Sequence, residues 1–172
     1  MILKVAHQND AQAICDLLNR AYRGTDGWTT EGALISGHRC VVGDIEKEIQ
    51  SPETTYLICQ DEDSLQACIA VTQSEKGAYL GSFSVLPELQ GKGIGKAVLK
   101  QAEDFAKSTL KTDCFLVSVL AGRDELFAYY ERRGYKRNGN VSPFPTHLDV
   151  GMPVNPDQMM EEMVKPLISI TH

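Results

Sequence analysis

Apolar residues recur at helical spacing in the first part of the chain. Behind Asp10, a residue type that caps helix N-termini, they return every three or four positions over residues 14–21, which predicts a helix. A short strand is expected before this helix, over residues 2–8. Residues 24–40 are rich in glycine and threonine and predict a loop, and a short helix over residues 44–50 ends before a proline step.

The middle of the chain changes to the pattern of strands. Residues 55–60, 65–73 and 77–86 are three strand-like segments with short connections, which predicts an antiparallel meander. Helical spacing returns from Ile94 onward, with charged residues placed away from the apolar stripe. The run CFLVSVL at residues 114–120 is typical of a strand that is buried on both faces.

The last third adds one helix and the closing strands. Residues 123–134 have a helical pattern that Gly134 ends, and residues 135–139 and 159–164 supply candidates for the final strands. No repeat, low-complexity tract or long linker divides the chain, so one domain over residues 1–172 is expected. The elements predict an α+β fold, in which a mixed, mostly antiparallel central sheet of about 6–7 strands is flanked by about four helices.

The composition excludes two classes of partner. The net charge is -6, whereas nucleic-acid-binding proteins usually carry a basic excess, so no nucleic-acid partner is expected. No window approaches the length of apolar sequence that spans a membrane, and the first ten residues lack a signal-peptide pattern, so no membrane partner is expected. Five scattered cysteines without close pairing predict reduced thiols in a cytoplasm, and their spacing predicts no metal site.

Three glycines, Gly91, Gly93 and Gly95, stand at the mouth of the helix that follows the meander. A helix N-terminus exposes unpaired N–H groups and a partial positive charge, and glycine lets a bulky anion approach the backbone. The spacing therefore predicts a phosphate cradle, with a tight strand-to-helix turn as the alternative. A Walker A loop does not fit because its hydroxyl position holds Ala97, and a dinucleotide fingerprint does not fit because its last glycine position holds Lys96.

Sequence around the cradle resembles a known enzyme superfamily. Residues 90–95, QGKGIG, resemble the Q/R-x-x-G-x-G/A signature of the GNAT superfamily, the acyl-CoA-dependent N-acyltransferases. Residues 82–88, SFSVLPE, look like the end of that superfamily's fourth strand, and residues 129–135, YYERRGY, resemble its lYe-x-lGF motif. The resemblance is strongest over residues 77–137, and it implies a three-layer fold whose sheet is splayed between its fourth and fifth strands.

The same resemblance implies a function. It points to a cytoplasmic N-acetyltransferase that uses acetyl-CoA as cosubstrate, without a metal, and that acetylates a primary amine by direct attack in a ternary complex. The acceptor would be a small-molecule or peptide amine. The resemblance does not decide between a monomer and a homodimer. A catalytically inactive CoA-binding sensor or structural module is the alternative.

The resemblance also implies roles for individual residues. Tyr130 matches the motif tyrosine and would protonate the departing thiolate, with a core aromatic as the alternative role. Glu31 is the candidate general base. The alternative, which the sequence favours, is that Glu31 only stabilises the first turn of a short helix. Trp28 and Tyr79 would contact the acceptor. The cofactor-binding residues would be Phe83, Ser84, Val85, Gln90, Gly91, Lys92, Gly93, Ile94, Gly95 and Lys96.

Side-chain identity says little about some of these positions, and one position departs from the family pattern. Phe83 and Val85 would act through their main-chain groups, on which side-chain identity has little bearing. Lys92 and Lys96 are expected to be solvated charges that raise the local positive potential. At residue 123, many superfamily members have an asparagine that contacts the cofactor, but this chain has Arg123, which we expect to point to solvent, with a contact to a CoA phosphate as the alternative.

Overall fold

The computed structural model describes residues 1–27, 30–62 and 64–167. Four α-helices lie in this part of the chain: α1 (Ala11–Arg23), α2 (Val42–Gln50), α3 (Ile94–Thr109) and α4 (Asp124–Glu131). The same ranges contain nine strands: β1 (Lys4–Val5), β2 (Ile35–Ser36), β3 (Thr54–Gln60), β4 (Leu65–Ser74), β5 (Gly77–Val85), β6 (Cys114–Leu120), β7 (Lys136–Pro143), β8 (Met152–Pro153) and β9 (Met159–Pro166).

Seven of the strands form one sheet in the order β1-β3-β4-β5-β6-β9-β7. Neighbouring strands are antiparallel except β5 and β6, which are parallel. The predicted mixed, mostly antiparallel sheet is therefore confirmed. The sequence pattern did not predict β2 and β8, which pair with each other outside this sheet, because two-residue strands are too short to show a period.

The sheet is the middle layer of three. Successive side chains of a strand point to opposite faces, so Cys68 and Ile69 of β4 belong to different cores. Cys68 packs with Ile14 of α1 and with α2 on one face, while Ile69 packs with Val98 of α3 and with α4 on the other. Fully burying side chains of this kind contributes roughly 1.5–3 kcal/mol each. The apolar stripes of the helices thus decide which face of the sheet each helix covers.

The two central strands separate after their first residues. β5 and β6 pair only at Ala78 with Phe115 and at Tyr79 with Leu116. Beyond these pairs, β5 remains bonded to β4 and β6 to β9, so a wedge opens between them. β5 also carries a bulge at Ser82, whose φ of 47° lies in the left-handed region. The predicted splay between the fourth and fifth strands of the sheet is confirmed.

Strand β6 is less completely buried than its apolar sequence predicts. Five of its seven residues are buried, but Ser118 is exposed. Ser118 lies on the same face of the sheet as Tyr79, where it borders a cavity. The expectation of burial on both faces is therefore wrong at this position, because the open face next to the wedge is not filled by side chains.

Two of the scattered cysteines meet in the fold. The Sγ atoms of Cys15 in α1 and Cys40 before α2 are 3.4 Å apart in the buried core, although 25 residues separate them in sequence. All five cysteines are free thiols. Sequence spacing alone does not show this contact, because it does not reveal which helices pack together.

None of the helices in residues 1–27, 30–62 and 64–167 combines the length and apolar composition that a membrane span requires. No three histidine, cysteine, aspartate or glutamate side chains within those ranges are grouped as a metal site requires.

A buried polar group ties α3 to the last strand. The Glu103 carboxylate is 6% exposed, accepts a hydrogen bond of 2.8 Å from the Tyr135 hydroxyl and lies 2.9 Å from the Lys165 ammonium. Replacing one member of such a group leaves the others without their partner in a poorly hydrated site.

We therefore expect Glu103→Ala to lower the free energy of unfolding by about 2–3 kcal/mol, a value reduced because Lys165 is partly solvated. Urea denaturation would measure it. Asp104→Asn on the same helix is the control, because the Lys100–Asp104 pair is exposed and its loss should change stability by less than about 1 kcal/mol. Equal effects of the two substitutions would contradict the assigned role of Glu103.

Candidate active site

A cavity of about 690 Å³ occupies the wedge between β5 and β6. It is bordered by the glycine segment before α3, the end of α1, α4 and residues 142–150. The residues singled out from the sequence that line this cavity are Glu31, Tyr79, Phe83, Ser84, Val85, Gln90, Gly91, Gly93, Gly95, Lys96 and Tyr130. Lys92 is exposed and Ile94 packs on the core, and neither lines the cavity; Trp28 lies outside the described residues.

The glycine segment forms an open turn at the start of α3. Gly91 and Gly93 both have φ of 80°, a region that favours glycine, and Gly93 is the N-cap residue directly before α3. A Cβ added at either glycine would meet nothing within 4 Å. The side-chain amide of Gln90 donates to the Val85 carbonyl at 3.0 Å and so fixes the turn to the end of β5. The space and the free helical N–H groups suit a phosphate group.

Gly95 serves a different purpose from the other two glycines. A Cβ at this position would lie 3.1 Å from the Tyr129 hydroxyl and 3.5 Å from Phe83. The absence of a side chain therefore lets α4 and the end of β5 pack closely against the first turn of α3.

Cationic side chains surround the same end of the cavity. Lys96 of α3 lines it together with Arg132 and Arg133, which follow α4. The Arg133 guanidinium stacks 3.7 Å above the Tyr129 ring and donates to the Tyr129 carbonyl at 2.7 Å. Sequence alone does not single out the two arginines, because basic residues are common at helix C-termini. Together these three charges make this end of the cavity attractive to anions, although the chain as a whole is acidic.

Tyr130 of α4 lines the cavity. Its ring makes edge contacts with Tyr129 and Tyr135, at centroid distances of 5.4 and 5.5 Å. Burial raises the pKa of the Tyr130 hydroxyl well above its ordinary value, and Tyr22 and Tyr79 raise it further. The phenol therefore keeps its proton at neutral pH and can donate it to a group inside the wedge.

Tyr22 of α1 holds the bulged part of β5. Its hydroxyl donates to the Phe83 carbonyl at 2.7 Å, and burial raises its pKa to about 12. Tyr22 follows Leu18 by four residues, so it lies on the sheet-facing side of α1. This spacing could have identified Tyr22 from sequence as a residue that reaches the sheet, but not the carbonyl that it contacts.

An ion pair lies at the other end of the cavity. Glu31 pairs with Arg23, and their side chains are 11% and 8% exposed. Arg23 also donates to the Val150 carbonyl, so the pair fastens the loop after α1 to residues 144–153. Burial raises the pKa of the Glu31 carboxyl, while Arg23 and Arg39 oppose that rise. The backbone of Glu31 begins a turn through its bond from Ile35, but its side chain faces the cavity rather than solvent.

The two ends of the cavity lie on opposite faces of the sheet. Tyr79 and Gly81 pair with Thr72 and Ala70, which places them on the face that α1 and α2 cover. The glycine segment leads into α3, which covers the other face. A smaller polar recess of about 320 Å³ shares Tyr79 and Ser118 with the main cavity and reaches Glu162. The wedge therefore connects an anion-attracting face with a second face that carries Glu31 and Tyr79.

Arg123 does not point to solvent, as the sequence led us to expect. It is 8% exposed, and its Nε donates to the Glu125 carboxylate at 2.6 Å. This contact folds the side chain back on the first turn of α4, so Arg123 does not line the cavity. The expectation is wrong because Glu125, in the first turn of the helix that follows Arg123, forms an ion pair with the Arg123 guanidinium.

The sequence matches the acetyltransferase (GNAT) family over residues 11–135. No curated protein matches the chain. Several solved structures share its fold, and at their low sequence identities the likeness concerns the fold alone.

Three of these structures cover nearly the whole chain. Ribosomal-protein-alanine N-acetyltransferase from Brucella melitensis is 15% identical, with a TM-score of 0.71, over 97% of this chain and 100% of that chain. A variant of spermidine N-acetyltransferase from Vibrio cholerae is 16% identical, with a TM-score of 0.70, over 97% and 95%. IAA acetyltransferase from Bacillus cereus is 18% identical, with a TM-score of 0.68, over 96% and 99%.

Proposed function

Because the chain belongs to the GNAT family of acetyltransferases, we propose that it transfers an acetyl group from acetyl-CoA to a primary amine. One observation carries this proposal: the wedge between β5 and β6 opens beside the glycine turn into a cavity that reaches both faces of the sheet. We also propose that residues 1–172 form one domain of this kind, because one sheet includes strands from Lys4 to Pro166.

The face with α3 would hold the cofactor. The N–H groups of Gly93 and Gly95 would bind the pyrophosphate, and Lys96, Arg132 and Arg133 would supply the opposing charge. The edge of β5 that β6 leaves unpaired would bond the pantetheine amides as an added strand would. When bound there, acetyl-CoA supplies the acetyl group as a thioester.

The opposite face would hold the amine. The ammonium form must lose a proton before it can attack, and Glu31 is our candidate for the group that accepts this proton. The Tyr130 hydroxyl would donate its proton to the departing thiolate of CoA. None of the five cysteines lines the cavity, which favours direct attack in a ternary complex over transfer through a cysteine thioester.

This proposal predicts the effect of Glu31→Gln. As a base, Glu31 must be ionised, and because burial raises its pKa, the activity should fall with decreasing pH already above the ordinary carboxyl range. The variant should lose most of kcat and this acidic limb of the pH–rate profile, while its acetyl-CoA affinity stays unchanged. Glu75→Gln, in the exposed turn between β4 and β5, is the control. An unaltered profile in Glu31→Gln would show that another group accepts the proton.

The proposed activity can be tested with a panel of primary amines and detection of the free CoA thiol. We expect thiol release that depends on both acetyl-CoA and one class of amine. The panel should include a peptide N-terminus, a polyamine and free amino acids. Tight binding of acetyl-CoA without release on any amine would instead favour an inactive CoA-binding module.

A further inference from the structure

An arginine that the proposed chemistry does not use lies at the amine end of the cavity. Arg39 follows the loop after α1 and is half-buried. Its guanidinium lies 5.2 Å from the centre of the Tyr22 ring, and its Nη2 is 3.5 Å from the Ser82 hydroxyl in the bulge of β5. Because Ser82 also approaches Tyr56 of the core beneath α1 and α2, Arg39 is on the face opposite the glycine turn.

No carboxylate within residues 1–27, 30–62 and 64–167 forms an ion pair with Arg39. Glu31 is paired with Arg23. Glu48 accepts a hydrogen bond from the Tyr56 hydroxyl, but it is exposed and does not line the cavity. A partly buried guanidinium without an anionic partner is costly, so it favours a ligand that supplies one. Two guanidinium groups, those of Arg23 and Arg39, thus line this end of the cavity with the single carboxylate of Glu31, which leaves a net positive charge there.

Apolar side chains form another wall at this end. Leu120 and Met160 face each other across β6 and β9, on the same face of the sheet as Tyr79. Phe144 and Val150 pack with them, and all four line the cavity. Since Arg23 bonds to the Val150 carbonyl, this wall lies next to the ion pair of Glu31.

We infer that the acceptor is a free amino acid with an apolar side chain. Its ammonium would approach Glu31, its carboxylate would pair with the Arg39 guanidinium, and its side chain would contact the wall of Leu120, Phe144 and Met160. A carboxylate and a guanidinium that line the same end of the cavity match the ammonium and carboxylate of one α-carbon. This inference rests on the proposed acetyl transfer to an amine, and it excludes a polyamine as the preferred acceptor, because Arg39 repels added positive charge.

The experiment compares amines that differ only in the carboxylate. L-Phenylalanine and phenethylamine form one pair, L-leucine and isopentylamine the other, with spermidine as a polycation. We expect kcat/KM to be about 10- to 100-fold higher for each amino acid than for its amine, the range of a charge-assisted hydrogen bond. Arg39→Gln should raise KM for the amino acids by a similar factor, leave KM for the plain amines unchanged and leave acetyl-CoA affinity unchanged. Arg39→Lys should fall between the wild type and Arg39→Gln.

The control is Arg20→Gln, which removes an exposed arginine of α1 outside the cavity and should change none of these constants. Acetyl-CoA affinity, measured by calorimetry, reports whether each variant is folded. Equal or higher kcat/KM for the plain amines or for spermidine would overturn this inference and leave the proposed function standing. An equal effect of Arg39→Gln on the KM of an amino acid and of its plain amine would also overturn this inference and leave the proposed function standing. Failure to acetylate any amine would overturn the proposed function and this inference with it.

Discussion

Gly93→Asp should lower the affinity for acetyl-CoA by about 100-fold or more. Gly93 has φ of 80° and is the N-cap residue of α3, and a Cβ added there would meet nothing within 4 Å. An aspartate would place a negative charge where the pyrophosphate is proposed to bind and would disturb the N–H groups that face it. Hydrogen bonds to charged groups contribute about 1.5–3 kcal/mol each, so the loss of two accounts for the expected factor.

Gly139→Asp is the matched control for this prediction. Gly139 has φ of 81°, and a Cβ there would also meet nothing within 4 Å, but it lies in β7 and does not line the cavity. Both substitutions introduce the same charge and comparable backbone strain. Calorimetric titration with acetyl-CoA should therefore separate them by the full expected factor. Similar affinities of the two variants would contradict the assignment of the glycine turn to the phosphates.

Tyr130→Phe should reduce kcat by about 10²–10⁴-fold, the usual contribution of a general acid, with little change in acetyl-CoA affinity. The substitution removes only the hydroxyl and keeps the ring contacts with Tyr129 and Tyr135. Because burial raises the pKa of Tyr130, the wild type should keep its proton donor up to pH values above the ordinary phenol range. Steady-state kinetics across pH would measure both effects.

Tyr135→Phe provides the comparison for Tyr130→Phe. It also removes one buried hydroxyl, but that hydroxyl bonds to Glu103 and lies outside the cavity. The variant should lose stability and retain turnover at temperatures where it is folded. If Tyr130→Phe turned over at the wild-type rate, the proton for the thiolate would have to come from another group or from water.

The parts of the fold that depend on residues close to one another in sequence could be predicted from sequence. The meander of β3, β4 and β5 and the start of α3 follow from local period and glycine spacing. The splay could be expected only through the resemblance, because no pattern within β5 or β6 shows that two parallel strands separate. Sequence patterns locate the ends of the elements only to within a few residues: the first strand pairs only at Lys4 and Val5, within an expected range of 2–8.

Contacts between distant segments explain what the sequence could not show. Tyr22 bonds to a carbonyl 61 residues away, and Arg39 approaches a hydroxyl 43 residues away, so neither had a local signal of its place in the cavity. The glycines and Tyr130 belong to short motifs, and their assigned roles remain predictions that the cavity makes testable. Arg123 shows the opposite case, in which a nearby carboxylate decides the side-chain direction against expectation.

The most direct test of the proposed function follows a deuterated acetyl group from acetyl-CoA. The wild-type protein would be incubated with the labelled cosubstrate and the amine panel, and the amines, the protein and the free thiol would be measured together by mass spectrometry and thiol titration. We expect one labelled acetyl group on an amine nitrogen for each thiol released, with no label retained on the protein. Bound acetyl-CoA without a labelled amine, or label that accumulates on the protein before it reaches the amine, would contradict it.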